Sequence, residues 1–447
     1  MTRRRLSPEN MISLLRDGHV SEFFGRARML EATDLADVLA LADDDERVEI
    51  AKLLPPELTG EALTEMPETE HAEETLAALT SEQAAEIVGE MPDDDAADLL
   101  GELAPEQQRR ILSAVDAPER EEVERLLEYD VESAGGLMTG AMVTVGLDDT
   151  VGEALESIRR QAEDVEDFTE TYVVGPDLQL AGILGFKRLV VGAPNRSVRE
   201  LMEEPDVTVG PDMDQEEVAR LMARYNVPSI PVVNRDGRLL GRITFDDVSD
   251  VVEREATEDL LRFGGVSAEE DLGARWFEAV KTRLPWLVVN LLTAFVAASV
   301  VGFFSGVVKA LPALAAWMTI ISGMGGNAGT QSLAVTVRRL ALGLIPASAF
   351  TQVIGKEVMV GLACGVANGI LTALVAMALH QPPMLGVVIC MAMVGNLFVA
   401  GFAGAFIPLL LERFKIDPAI ASSVFVTTFT DVCGFALVLG LSGWLLL

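Results

Sequence analysis

Asp431 stands inside "VTTFTDVCGF" (Val426–Phe435), a stretch with apolar flanks on both sides. An ionisable group in hydrocarbon is costly, so it marks either an ion pathway or a protonated side chain bonded across helices. Asp431 lies about thirteen residues past Pro418 and about sixteen before Leu447, which at about 1.5 Å per residue puts it near a bilayer midplane. No Lys, Arg or His lies within a helical turn of it. Further oxygen donors accompany it in other apolar stretches. They are Asn327 and Gln331 in "ISGMGGNAGTQSLAVTVRR", Asn396 in "VGNLFVAG", and Ser422, Ser423, Thr427, Thr428 and Thr430 just ahead of Asp431. Carboxylates, amides and hydroxyls are hard donors and suit a hard cation. Mg²⁺ dehydrates reluctantly and is held through its waters by one or two carboxylates. One carboxylate per subunit, doubled in a dimer, meets that requirement.

Other chemistries lack their residues. His19, His71 and His380 are scattered, and Cys364, Cys390 and Cys433 form neither a zinc spacing nor a disulfide framework, so packing is their expected role. No His-Glu-x-x-His motif and no second intramembrane Asp are present, which excludes the intramembrane zinc and aspartyl proteases and leaves a non-enzyme. No TVGYG-type stretch could build a bare K⁺ filter.

The elements that carry these donors follow from hydropathy. Five apolar stretches, at 284–308, 311–337, 348–379, 384–411 and 418–447, each reach the ~20 residues that cross hydrocarbon as a helix. Lys281 and Arg283 precede the first, Arg338 and Arg339 separate the second from the third, and Arg413 and Lys415 the fourth from the fifth. The other two connections hold Lys309 or no base, so the N-terminal half is expected in the cytoplasm and Leu447 outside a cell membrane. The glycines between Gly323 and Gly329 are expected to loosen or break their helix around a polar lining, with close packing by small residues as the alternative. Lys356 and Glu357 point about 100° apart on a helix and need not pair with each other. Lys356 is expected to snorkel, while Glu357 serves either a pair with Arg338 or Arg339 or the pathway.

Charge divides the chain. Residues 1–270 hold 63 acids and 25 bases, whereas 271–447 hold 6 acids and 9 bases. A surface this acidic repels nucleic acid and attracts cations. Residues 1–130 carry apolar residues at three- and four-residue spacing with Pro92 and Pro105 at helix starts, an all-α superhelical pattern. Residues 131–255 repeat internally. Leu137–Met138 return as Leu201–Met202, "VTVG" at 143–146 returns at 207–210, and Asp148 returns as Asp212, all 64 residues on. Each copy reads helix, strand, strand, and the pair resembles CBS modules, an α/β fold. "GRITFDDV" carries that family's Gly-x-x-Thr-x-x-Asp segment at Gly241, Thr244 and Asp247; in CBS pairs such a Thr and Asp can hold the ribose of an adenine nucleotide such as ATP. The first copy has Gly185 and Arg188 instead, so the module either binds one nucleotide or serves as a dimerising or ion-sensing part. In the connecting stretch 256–282, Leu272, Trp276, Phe277 and Val280 fall at helical spacing, as in a helix lying on the membrane or a passive spacer.

Taken whole, the chain resembles the MgtE family of magnesium channels. The resemblance rests on "EREATEDLLR" at 253–262, "GMGGNAGTQS" at 323–332, "KEVMVGLACG" at 356–365, "GNLFVAGFAGAFIPLLL" at 395–411 and "DPAIASSVFVTTFTD" at 417–431. It implies a multidomain membrane protein: acidic helical domain 1–130, CBS pair 131–255, connecting helix 256–282 and a five-helix pore domain 283–447. It also implies a homodimer in membrane lipid whose two Asp431 side chains bind hydrated Mg²⁺. Cytosolic Mg²⁺ is then expected to close the pore by bridging acids. Those acids are Asp93, Asp94, Asp95 and Asp98 in the first domain, Asp246, Asp247, Asp250, Glu255, Glu258 and Asp259 at the CBS end, and Asp417 at the cytoplasmic mouth. Asn327, Gln331, Asn396, Ser423, Thr427 and Thr428 are expected to line the pore. Family members often carry Asn near Ser423, so this departure leaves selectivity open. A secondary transporter of Mg²⁺ or other divalent ions such as Co²⁺ or Mn²⁺, driven by a coupling ion, is the alternative function.

Overall fold

The computed structural model describes residues 7–67, 70–162, 165, 168–266 and 276–447. They form two compact units, Met1–Glu253 and Arg254–Leu447.

The first unit begins with ten short helices: α1 (Pro8–Arg16), α2 (Val20–Ala27), α3 (Ala32–Ala40), α4 (Asp44–Leu53), α5 (Pro56–Thr64), α6 (Ala72–Ala78), α7 (Ser81–Val88), α8 (Asp93–Gly101), α9 (Pro105–Leu112) and α10 (Ala117–Leu126). Their starts are written locally. Asp43 with Glu46 and Thr80 with Gln83 form capping boxes at α4 and α7. Proline occupies the first turn of α5, α9 and α10, where its missing N–H costs nothing. Each helix buries one apolar stripe, including Phe23, Leu39, Ile50, Leu63, Leu76, Leu100 and Ile111, in a continuous core.

The internal repeat returns as structure. In the first copy β1 (Thr144–Gly146) pairs in parallel with β2 (Glu170–Val174), which pairs antiparallel with β3 (Leu180–Gly185). In the second, β4 (Ser229–Val233) pairs antiparallel with β5 (Leu239–Thr244), and a parallel bridge joins Val209 to Val232. Both hairpins shift register at the same place, between Val173 and Val174 and between Val232 and Val233. The copies clasp each other reciprocally. Thr139 of the first bridges Arg242 of the second, and Glu203 of the second bridges Ile183 of the first. These crossings need glycine: a Cβ on Gly241 would stand 2.6 Å from the Thr139 carbonyl oxygen, and one on Gly182 2.7 Å from that of Glu203.

Helix α11 (Val151–Gln161), α12 (Phe186–Val191), α13 (Val198–Leu201) and α14 (Gln215–Tyr225) cover the hairpins. Then α15 runs from Phe245 to Phe263 without interruption. It ends in a Schellman motif: Gly265 has φ +75°, Val266 N–H donates to the Leu261 carbonyl at 3.0 Å and Gly265 N–H to that of Arg262 at 2.9 Å. The expected connecting helix over 256–282 is therefore not one element. Residues 256–263 continue the helix of the CBS end, Trp276 to Thr282 open the next helix, and Leu272 lies outside the described residues.

The second unit holds the long helices α16 (Trp276–Phe303), α18 (Leu314–Ala341), α19 (Phe350–Ala378), α20 (Pro383–Arg413) and α21 (Pro418–Leu445), with the short α17 (Ser305–Ala310) between the first two. Four of them, α16, α19, α20 and α21, are long and apolar enough to cross a membrane. Helix α18 has 28 residues and carries the glycine and amide cluster. That cluster does not break it. The glycines let neighbouring backbones approach, so packing by small residues prevails over the broken helix expected from sequence. A Cβ on Gly329 would lie 2.5 Å from Val426 of α21, and one on Gly404 of α20 would lie 2.6 Å from the Gly329 carbonyl oxygen. Helices α19 and α20 meet the same way, with a Gly361 Cβ only 2.3 Å from the Leu397 carbonyl oxygen.

Candidate ion site and acidic cluster

Helix α21 carries Ser423, Thr427 and Asp431 at four-residue spacing, which places them in one row along its surface. All three are partly exposed in the protomer. Asp431 accepts a hydrogen bond from the Ser322 hydroxyl of α18. Sequence reading passed over Ser322, because a serine inside a helix carries no local signal of its partner. Thr427 and Thr428 donate back to their own helix, to the carbonyls of Ser423 at 2.9 Å and Val424 at 2.6 Å respectively. Each hydroxyl oxygen keeps acceptor capacity. On α18, Asn327 and Gln331 are exposed on one face.

Asn396 is placed differently. It is wholly buried, 0% exposed, at a crossing of three helices. Its Nδ2 donates to the Ile321 carbonyl at 2.8 Å, and its Oδ1 is buried with no partner. Expected to face water, it instead sits in the packing of the protomer. Glu357 is also buried, 6% exposed, and its carboxylate lies 3.6 Å from Lys356 Nζ. The adjacent pair does meet, because the long lysine stem can bend back while its head stays exposed. At the start of α21, Asp417 pairs with Arg262, which also pairs with Glu258. Two acids assigned to cation binding are thus bridged by an arginine that sequence reading left unassigned. Glu255 and Asp259 lie on the same helix, both half-buried.

The second cluster lies within the first unit. "PDDD" starts α8, and the three acids fill its first turn, where the helix dipole favours negative charge. They are not equivalent. Asp93 is hydrogen-bonded, with Oδ1 accepting from Thr139 Oγ1 at 2.5 Å and Oδ2 from Gly140 N–H at 2.8 Å. Asp94 Oδ1 is buried and has no partner. Burial, then the neighbouring charges of Asp95, Asp247 and Asp93, push the Asp94 carboxyl up to about 8. Burial, then Asp247, Asp98, Glu65 and Asp246, push Asp95 up to about 7. Asp247 is raised as well, chiefly by burial and against the hydrogen bond it accepts from Thr244. Asp246 and Asp250 are exposed beside it on α15. Glu65, which sequence reading missed, comes to this group from the end of α5. Carboxylates from α5, α8 and α15 therefore converge and raise one another. Among the described residues no three His, Cys, Asp or Glu side chains are arranged to grip a metal ion directly. A buried carboxylate oxygen lacking any donor fits a cation, and the wider spacing fits one that keeps its water.

In the CBS-like pair the two ribose positions differ. Thr244 N–H donates to Asp247 Oδ2 at 3.2 Å, whereas Arg188 of the first copy is engaged by Glu203 and by the Leu201 carbonyl.

This combination, an acidic helical domain and a CBS-like pair preceding several helices long and apolar enough to cross a membrane, is that of a multi-pass membrane protein with a regulatory module. Residues 30–132 match the "MgtE intracellular N domain", 198–254 the "CBS domain" and 318–441 "MgtE", described as "Divalent cation transporter". The chain is 39% identical over 345 residues to the magnesium transporter MgtE of Thermus thermophilus, covering 76% of this chain and 75% of that protein. It is 34% identical to the magnesium transporter MgtE of Bacillus subtilis, covering 74% of this chain and 73% of that protein. The chain belongs to the MgtE family of magnesium transporters and is not an enzyme. Among solved structures, the cytosolic domain of the Mg²⁺ channel MgtE in complex with ATP is similar, with TM-score 0.51 and 35% identity over 55% of this chain and 99% of that one. The soluble part of a magnesium transporter is similar too, with TM-score 0.51 and 27% identity over 56% and 98%.

Proposed function

We propose that the chain is a homodimeric, Mg²⁺-selective channel of the cell membrane, closed by cytosolic Mg²⁺. Five helices cross the bilayer, with α18 as the most polar of them, so the N-terminal half is cytoplasmic and the C-terminus outside. The domains are those drawn from sequence: 1–130, 131–255, 256–282 and 283–447. Hydrated Mg²⁺ passes the row Ser423, Thr427 and Asp431, and the paired Asp431 carboxylates hold it through its waters.

The observation that carries the gating is the unpartnered buried oxygen of Asp94 among acids from three helices. Bringing such carboxylates together without a cation is unfavourable, so the compact arrangement gains stability as Mg²⁺ rises and loosens as it falls. Asp94, Asp95, Asp98, Asp246, Asp247 and Asp250 hold the ion there. Glu255, Glu258, Asp259 and Asp417 act nearer the pore, with Arg262 already compensating part of their charge. A relative's cytosolic domain is described in complex with ATP. Here the second copy, with Thr244 and Asp247, supports a nucleotide, while the first copy's Arg188 is occupied by Glu203.

Single-channel recording with cytosolic Mg²⁺ varied tests this reading. Unitary currents that follow the Mg²⁺ gradient and cease as cytosolic Mg²⁺ rises are expected, with Asp431→Ala folded but silent. Wild-type flux in that variant removes the pore assignment. Flux that requires Na⁺ or H⁺ establishes the coupled transporter instead.

A further inference from the structure

We propose that Asn396 is a positioning residue for Asp431: it fixes the turn of α18 that carries Ser322, and through Ser322 it sets where the Asp431 carboxylate stands. The inference rests on Asp431 as the ion-binding group.

Three contacts of Asn396 point to the same place. Its Nδ2 donates to the carbonyl of Ile321, the residue immediately before Ser322, at 2.8 Å. A Cβ on Gly325, one turn further along α18, would come 2.1 Å from Nδ2. A Cβ on Gly434, one turn beyond Asp431 on α21, would come 2.9 Å from the same atom. Asn396 therefore stands in a notch cut by one glycine from each helix and is bonded to the residue next to Ser322, the donor of the Ser322–Asp431 hydrogen bond. The notch admits no side chain from either helix, so the amide of α20 sets their separation at the level of the carboxylate.

The other half of the amide shows that stability is not what this residue supplies. Oδ1 is buried without a protein partner, and an orphaned acceptor at a packed crossing is unfavourable. An apolar side chain with the same number of heavy atoms avoids that cost. The Ile321 carbonyl belongs to the backbone ladder of a helix, so losing the amide does not strand it. What an apolar side chain lacks is a directional hold on one turn. A carboxylate that must meet a hydrated ion at a fixed distance depends on such a hold.

The test uses the full-length protein in liposomes, with the gating face kept free of Mg²⁺ and the Mg²⁺ dependence of flux measured from the other side. Asn396→Leu is expected to keep its melting temperature while the half-saturating Mg²⁺ concentration rises about tenfold, the size of one hydrogen bond to a charged group. Asn396→Ala serves the same comparison if leucine overfills the notch and the protein does not fold. Ser322→Ala should raise half-saturation by a similar factor, and the double variant no further, because both changes act through one geometry. Unchanged half-saturation in the folded Asn396 variant overturns the proposal, as do effects that multiply in the double variant. Normal flux in Asp431→Ala is a different failure, of the ion site itself, and is read separately.

Discussion

Asp94 gives the sharpest test of how the acidic cluster works. Its carboxyl is raised from 3.8 to about 8, with burial as the main cause and Asp95, Asp247 and Asp93 adding to it. When α8 and the CBS end are apart and the group is in water, its value returns to the ordinary one. Between these limits the assembled contact binds a proton that the separated one does not. The contribution is complete below pH 3.8 and is lost as pH rises through about 8. At about 1.4 kcal/mol per pH unit, the proton that Asp94 must take up on assembly at pH 7 opposes assembly by about 4 kcal/mol. In EDTA, the ratio of assembled to separated forms should therefore rise about tenfold for each pH unit below 8, and more steeply below 7 as Asp95 joins. Fluorescence transfer between labels on the helical domain and the CBS pair reads that ratio. Asp94→Asn should assemble without Mg²⁺ at pH 8, lose the Asp94 part of the slope and respond to Mg²⁺ less steeply. A wild-type ratio that stays flat from pH 6 to 8 without Mg²⁺ refutes the reasoning.

The remaining predictions probe contacts of other kinds. Thr139→Val removes the hydroxyl that donates to Asp93 without altering any charge; one hydrogen bond to a carboxylate is worth about 1.5–3 kcal/mol, so the closing Mg²⁺ concentration should rise at least about tenfold in recordings. Arg262→Gln removes the one positive charge shared by the Glu258 and Asp417 ion pairs and should make closure more dependent on Mg²⁺, seen as a steeper dose response. Gly361→Val forces a side chain toward the Leu397 carbonyl oxygen and should cost about 1–3 kcal/mol or more, seen as a lower melting temperature in detergent.

The soluble and membrane halves, the repeat and the exceptional position of Asp431 were legible from sequence because hydropathy, charge and period accumulate along neighbouring residues. The internal repeat even returns as matched register shifts in the two hairpins, although the spacing there is no longer 64 residues. The inner ends of the elements were less legible. Gly265 and its hydrogen bonds stop α15 inside what the family resemblance implied as one connecting helix. The glycines of α18, expected to break it, are accommodated because α20 and α21 pack closely against them.

Within "DDD" at 93–95, sequence alone established three acids at a helix start, and nothing in their order separates them. The tertiary structure decided that Asp93 meets Thr139, 46 residues on, while Asp94 keeps one buried oxygen, Oδ1, without a donor. In the same way, sequence marked Asp431 as a carboxylate in an apolar stretch, but only packing brought it Ser322, 109 residues earlier, and set Asn396 against the carbonyl of Ile321 beside it. The physical reason is range. Solvation and helix propensity act on a residue and its neighbours in the chain, whereas a hydrogen-bond partner is whichever distant group the packed helices deliver within about 3 Å.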